Sequence, residues 1–435
     1  MGVLGQETLV SDMLRTNSIM IEVGGSIRRI TLDNFMNIIN DGNEMLLRQV
    51  AWGVPIKQSI QSSTYWGVIG NTSAWQEFKR LSGRYLVTNA GKAAKLNPND
   101  SNYYIDGTPV DESKGNIMVI TPRLYYLVKN DEVTGTPVLW MSMLPIGGHY
   151  IGGAGGGMYN CIGAYKGHLL GSSLVSRSGY TPTGAQTITS FWNAAQTNGI
   201  DFGLTNYDHR KLMMMLGLSE YGDTNIQAKL GYGVGGSSAT DLQAASLALL
   251  TGETKELGDS FGKIDISLVN GENVGVGCSR VNLMGIEDPY GWMFEMIQNI
   301  YCGNQANSGQ DGTEVYIIEG NRMPTAAELA STPNGKYRQI SRLTTSGYIK
   351  EEIIGEYFDL FPSNVIGGSS TSYWPDNSNF NADGQLVVWG GSSINGASSG
   401  PASVYSPYAF SYANQYIGSR LTYFGPLTFV NGANI

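Results

Sequence analysis

The segment GIEDPYGWMFEMIQNI (Gly285–Ile300) sets an acidic pair, Glu287 and Asp288, just ahead of a glycine and a run of large apolar side chains. Gly291 lets the chain turn sharply, because a residue without Cβ reaches positive φ at little steric cost. From the turn onward, Tyr290–Ile300 predicts a short helix, with Trp292 and Phe294 anchoring it to a sheet. The segment therefore describes a chain that alternates short elements with tight turns.

The remainder of the 435 residues agrees. Glycine fills 58 positions, roughly double average usage. Charged residues make up only 14%, where about a quarter is usual. Glycine and asparagine serve tight turns, whereas long helices would need more Ala, Glu, Lys and Leu. The expected class is α+β and β-rich, with length enough for two or three domains. A net charge of −9 without a basic cluster argues against nucleic acid as a partner, since phosphate contacts need concentrated Lys and Arg. No apolar run approaches the ~20 residues that span a bilayer, so no membrane insertion is expected. Cys161, Cys278 and Cys302 are odd in number and far apart, which argues against a disulfide framework and a zinc site. The opening MGVLGQETLVSD lacks the basic-then-apolar layout of a secretion signal, and synthesis in a cytoplasm is expected.

Along the chain, SIMIEVGGSIRRITL (18–32) reads as two short strands around Gly24-Gly25. Thr31 caps an expected helix whose stripe is Leu32, Phe35, Ile38 and Ile39, with Met45–Val50 continuing it beyond Gly42. The polar stretch NPNDSNYYIDGTPVDESKG (97–115) reads as a boundary loop, and the strand pair NIMVITPRLYYLVKND (116–131) follows. A domain boundary is placed near residue 110, giving an N-terminal region 1–110 and a second domain 111–435. SFWNAAQT (190–197) is a short helix, and NYDHRKLMMMLGLSEYG (206–222) a longer one capped by Asn206, with Leu212, Met215 and Leu216 on one face. The Met213–Met215 run reads as adaptable core filling. A last short helix is expected at Thr325–Ala330.

From Gly384 to Ser419 there is no charged residue, and Tyr405, Tyr408, Phe410, Tyr412 and Tyr416 are interleaved with Ser, Ala, Asn and Pro. Two readings stand. Alternation in YAFSYANQY (408–416) puts Tyr408, Phe410 and Tyr412 on one face of a core strand. The same mixture of Tyr, Ser, Gly and Asn also builds recognition loops, large rigid contacts with adaptable polar filler.

The middle and C-terminal parts of the chain, from about residue 115 to 435, resemble C-type-lectin-like domains. These are relatives of the formylglycine-generating-enzyme fold, found in gut-phage structural proteins and in variable proteins of diversity-generating retroelements. The resemblance rests on ordered landmarks: VITPRLYYLV (119–128), IGAYKG (162–167), LSEYGDTNIQ (218–227), GIEDPYGWMFEMIQNI (285–300), GGSSTSYW (367–374), GGSSINGASSG (390–400) and IGSRLTY (417–423). The fourth is similar to the family's G-I-E-N-x-x-G-N-x-W-E-W, with Trp292 where Asn is common and Met296 in place of the second Trp. For Glu295 the resemblance implies a structural or ion-linked role. Arg420, a lone cation after the neutral stretch, reads as a buried arginine paired with a carboxylate or carbonyls.

An enzyme is not expected. The formylglycine-generating relatives use a C-terminal cysteine pair, and no cysteine follows Cys302 here. His149, His168 and His209 have no ligand spacing and read as ordinary surface or core histidines. Glu287-Asp288 and Glu351-Glu352 are neighbours in sequence, which says little about a facing catalytic pair. Asn379, Asn381, Asp383 and Gly384 give half of a calcium-loop pattern with Gly390 at its last ligand position, so an Asx turn is expected instead. GGAGGG (152–157) lacks the Lys-Ser/Thr of a phosphate loop and reads as a turn. No cofactor or metal is expected.

The resemblance implies a binding function: a bacteriophage virion surface protein, in a tail or head fibre, made in host cytoplasm and exposed on the particle. It would present Trp389, Ser393, Asn395, Tyr405, Tyr408, Tyr412, Asn414 and Tyr416 to a host-surface glycan or protein. Expected partners are that receptor, other virion proteins and sister chains in a homotrimer attached through residues 1–110. The alternatives are a purely structural virion protein contacting only other capsid or tail proteins, and a bacterial glycan-binding surface protein.

Overall fold

Strand outweighs helix, 36% against 17%, which is the β-rich α+β balance implied by a glycine-rich, charge-poor composition. The computed structural model describes residues 18–23, 26–31, 44–58, 65–132, 134–237, 246–269, 272–273, 276–303, 313–330, 337–381 and 383–435. Ser18–Val23 and Ser26–Thr31 form the expected antiparallel hairpin. Thr31 therefore ends a strand, and the helix expected from it over 32–43 lies outside the described residues. Its expected continuation is present as the Glu44–Val50 helix.

Three larger sheets carry the described chain. In the first, His149–Ile151, Leu124–Asn130, Pro137–Ser142, Trp52–Pro55 and Ile69–Gly70 lie side by side. The second runs Phe202–Leu204, Leu421–Tyr423, Tyr159–Gly163, Asn116–Pro122, Gly83–Val87, Lys92–Asn97 and Thr428–Val430, with Asp100–Tyr104 also on Lys92–Asn97. The third runs Tyr337–Ser341, Glu314–Ile318, Phe294–Cys302, Leu386–Trp389, Val404–Tyr408, Asn377–Phe380 and Gly347–Tyr348. The two strands read from 116–131 exist, Asn116–Pro122 and Leu124–Asn130, but they belong to different sheets. The boundary expected near residue 110 falls inside the second sheet: Tyr85 pairs with Met118, and Ala93 with Phe429.

The helix expected at Tyr290–Ile300 is corrected. Phe294–Cys302 is a strand inside the third sheet, and all nine residues are buried. A strand covered on both faces loses the polar alternation that would reveal it, and an apolar run of this length is then indistinguishable by pattern from a buried helix. Two of its polar members bond distant backbone: Gln298 accepts the Leu204 N–H at 2.7 Å, and Asn299 accepts that of Tyr207 at 2.8 Å. The turn ahead of the strand stands as read. Gly291 has φ +76°, and a Cβ there would lie 2.6 Å from the Tyr232 carbonyl oxygen.

The helices follow their caps. Thr187 accepts the Ser190 N–H ahead of Ile188–Gln196, and Asn206 accepts that of His209 ahead of Tyr207–Tyr221. Gly222, in the left-handed conformation, ends the second. Met213, Met214 and Met215 are all buried in the largest apolar cluster, which also takes in Trp52, Phe78, Val119, Leu283, Trp374 and Ala402. Ala326–Ala330 is the expected last short helix.

Candidate functional site: a neutral loop and a polar cleft

Two buried arginines fix the ground beneath the C-terminal loops. Arg420 donates to Glu295 through Nη2 at 2.6 Å and Nε at 3.0 Å, and to the Gly163, Ala164 and Glu287 carbonyls at 3.0, 3.0 and 2.9 Å. This is the paired, carbonyl-bound arginine expected from the sequence. Lys166 adds a second cation at 2.8 Å from Glu295. Burial opposes the Glu295 carboxylate, but Arg420 and Lys166 outweigh it and hold its pKa below the ordinary value. Arg280 bonds Asp288 at 2.6 Å and Glu287 at 3.1 Å, with its guanidinium 4.4 Å from the Trp292 ring centre. Glu287 further accepts the Gly252 and Thr254 N–H groups, each at 2.8 Å. The acidic pair is thus consumed by structure.

Above this frame, Val404–Tyr408 is a strand, and residues 409–416 leave the sheet as a loop. The core-strand reading of YAFSYANQY therefore ends at Tyr408. The Tyr412 N–H donates to the Ala409 carbonyl at 3.0 Å and closes a turn. Phe410 turns inward and is buried, while Tyr408 and Tyr412 stack at 4.3 Å with rings 3° from parallel. Asn414 donates to the Tyr412 hydroxyl at 3.2 Å and accepts the Tyr416 N–H at 2.9 Å. Ala409, Ser411, Ala413 and Gln415 are exposed. An uncharged groove of about 290 Å³ runs beside them, bordered by Thr187, Thr189, Gln385 and Phe410.

The expected binding residues thus divide. Tyr408, at the end of its strand, and Tyr412, Asn414 and Tyr416 on the loop that follows are partly exposed, as is Asn395. Trp389, Ser393 and Tyr405 are taken into the interior, which removes them from direct contact with a ligand at the surface. The Trp389 indole donates to the Pro401 carbonyl at 3.1 Å, with Arg210 over its ring at 3.3 Å. Ser393 bonds the Ser246 hydroxyl at 3.0 Å. Tyr405 packs on Phe294 at 4.7 Å and receives an Asn395 N–H at 3.3 Å. The reason is shared by two of them: strands Leu386–Trp389 and Val404–Tyr408 lie inside the third sheet, where both faces are covered. Asn381 accepts the Asp383 N–H at 3.2 Å, the expected Asx turn.

A second concavity, of about 640 Å³, opens at the start of the Tyr207–Tyr221 helix. Strand His149–Ile151, the following Gly152-Gly153, Tyr337, Arg338 and Tyr357 enclose it. Its cations are neutralised from within: Lys211 lies 3.0 Å from Asp208 and 2.9 Å from the Tyr126 hydroxyl, and Arg338 donates to Asp359 at 2.8 Å. The Tyr357 ring is flanked by His149 at 4.2 Å and by the Arg338 guanidinium at 4.1 Å. Two buried polar atoms on the lining, Asn160 Oδ1 and His209 Nδ1, have no hydrogen-bond partner among the described residues. Burial pushes the His209 pKa down to about 4, so the ring is neutral at pH 7. Sequence reasoning missed this site, because its lining comes from segments between Tyr126 and Tyr357 that no local pattern connects. The one available signal was the GGAGGG turn, which supplies Gly152 and Gly153 to the rim.

Fold and surfaces together define a β-rich α+β protein with a preformed neutral loop and a separate polar cleft. Among the described residues no cluster of His, Cys, Asp or Glu is arranged to hold a metal ion. No protein-family model and no curated protein matches the chain.

Proposed function

We propose that the chain is a surface-recognition protein of a bacteriophage particle, a C-type-lectin-like domain whose C-terminal loop engages a receptor or glycan on a host cell. The observation that carries this reading is the part-exposed Tyr408–Tyr412 stack on a charge-free loop beside an uncharged groove. Paired tyrosines offer large rigid contact area, and a neutral surface avoids the desolvation cost of charged groups. The landmarks that carry the family resemblance also meet in space: Ile162 pairs with both Val119 and Thr422, Phe294 pairs with Ile417, and Arg420 reaches Gly163 and Glu287. Attachment to the particle, and assembly into a trimer, would fall to the N-terminal region, residues 1–110. Many copies on one particle would multiply weak single-site binding.

Binding of the purified full-length protein to intact bacterial cells tests this. The wild type should bind saturably to a susceptible strain, and Tyr408→Ala/Tyr412→Ala, shown to melt like wild type, should bind at least about tenfold more weakly. Equal binding by the two proteins, or no binding to the cells that the parent particle infects, would defeat the proposal.

A further inference from the structure

We infer that the cleft at the start of the Tyr207–Tyr221 helix is a second binding site, built for a neutral polyhydroxylated ligand, namely one or a few sugar rings. The inference is independent of the C-terminal loop, because the two sites share no residue.

Three observations point to that chemistry. The volume of about 640 Å³ is in the range of small-ligand sites, roughly 300–1,000 Å³. Tyr150, 52% exposed, and the half-buried Tyr337 present aromatic surface there, which suits the apolar face of a sugar ring. The third observation concerns the two orphaned atoms. Asn160 is fully buried and His209 nearly so, yet Asn160 Oδ1 and His209 Nδ1 remain without partners in the cleft wall. A buried polar atom left unbonded is costly, and a ligand that bonds it recovers that cost. Asn160 Oδ1 requires a donor, whereas a neutral histidine nitrogen either donates or accepts depending on its tautomer. A hydroxyl group does both, which suits either atom.

Charged ligands fit less well. An anion would look to the helix N-terminus and the cations, but both are already answered. Asn299 takes the Tyr207 N–H, Asn206 takes that of His209, and Asp208 stands in the first turn. Lys211 and Arg338 are held by Asp208 and Asp359. A cation would have to approach beside Lys211 and Arg338 in the same wall.

The test is saturation-transfer NMR on the full-length protein with the methyl glycosides of glucose, galactose, mannose and N-acetylglucosamine, alongside inorganic phosphate. At least one glycoside should receive saturation. Its affinity should fall about tenfold or more in Tyr150→Ala and in Tyr337→Ala, which alter part-exposed rings, and stay unchanged in Tyr412→Ala. Failure of all four glycosides, unchanged affinity in the two cleft variants, or phosphate binding that those variants weaken would overturn the inference. Loss confined to Tyr412→Ala would move sugar binding to the C-terminal loop and equally overturn it. Cell binding that fails while glycoside binding holds would strike only the surface-recognition reading.

Discussion

At the scale of single residues, ionisable groups in the interior divide into those that are matched and those that are not. Glu295 belongs to the first kind, with Arg420 and Lys166 on its oxygens. Asp376 belongs to the second. It accepts the Ala402 N–H at 2.6 Å and a Gln227 N–H at 2.5 Å, but burial dominates and raises its pKa to about 7, with Arg210 only partly offsetting that. Folded Asp376 therefore keeps a proton that the unfolded chain, with a carboxylate near 3.8, has already lost. Its contribution to stability is complete below about pH 4 and disappears as pH rises through about 7, a span worth on the order of 4 kcal/mol. His209 acts in the opposite sense: its pKa is lowered by burial to about 4, so its contribution is present above pH 6.5 and lost as pH falls toward 4. Denaturant titrations between pH 4 and 8 should show Asp376→Asn losing much less stability than wild type as pH rises. Parallel curves for the two proteins would show that Asp376 is ionised in the fold. The sequence made Arg420 legible, because a lone cation after thirty-six neutral positions (384–419) invites burial with a partner. It gave no sign of Asp376, whose surroundings come from residues 227 and 402.

At the scale of elements, legibility followed the punctuation. The Tyr207–Tyr221 helix could be read because Asn206 starts it and Gly222 ends it, even though nearly every residue between them is buried. A helix covered on most sides depends on packing more than on propensity. Met214→Ala should therefore lower stability by about 2–5 kcal/mol. The change should appear as a shifted denaturation midpoint with an unchanged slope; a loss below about 1 kcal/mol would mean that the neighbouring methionines close the gap. Phe294–Cys302 was illegible for the converse reason. It has no cap and no alternation, and its partners Leu386–Trp389 and Ile417–Gly418 arrive from distant sequence. The loop at 409–416 alternates like a strand, yet the buried Phe410 and the Ala409–Tyr412 turn bend it out of the sheet.

At the scale of the molecule, the second sheet ties the C-terminal end of the chain to strands from residues 83–204. Thr428–Val430 lies parallel to Lys92–Asn97, and Leu421–Tyr423 joins Tyr159–Gly163 to Phe202–Leu204. Calorimetry should accordingly find one cooperative transition for residues 52–435, and a fragment beginning at 111 should melt without cooperativity, since it lacks Gly83–Val87 and Lys92–Asn97. Two separate transitions, or a cooperative fragment, would restore a boundary near residue 110. Composition had indicated the β-rich class correctly, because glycine and charge content are global quantities. The placement of that boundary depended on long-range strand pairing, to which a turn-rich stretch such as 97–115 is blind. The same holds for the candidate sites: the tyrosines of the loop could be named from local composition, whereas the cleft exists only once distant segments meet.

The charge-free stretch from Gly384 to Ser419 also has a meaning for change over time. Every ion pair that braces the interior is made by residues outside it, so side chains such as Ser411, Ala413 and Gln415, exposed on the loop, can be exchanged without breaking any of them. The charged network of the interior and the exposed loop are then carried by different residues. A library randomised at those three positions should yield folded proteins that melt close to the parent; if the loop is the recognition surface proposed above, some should carry new binding preferences.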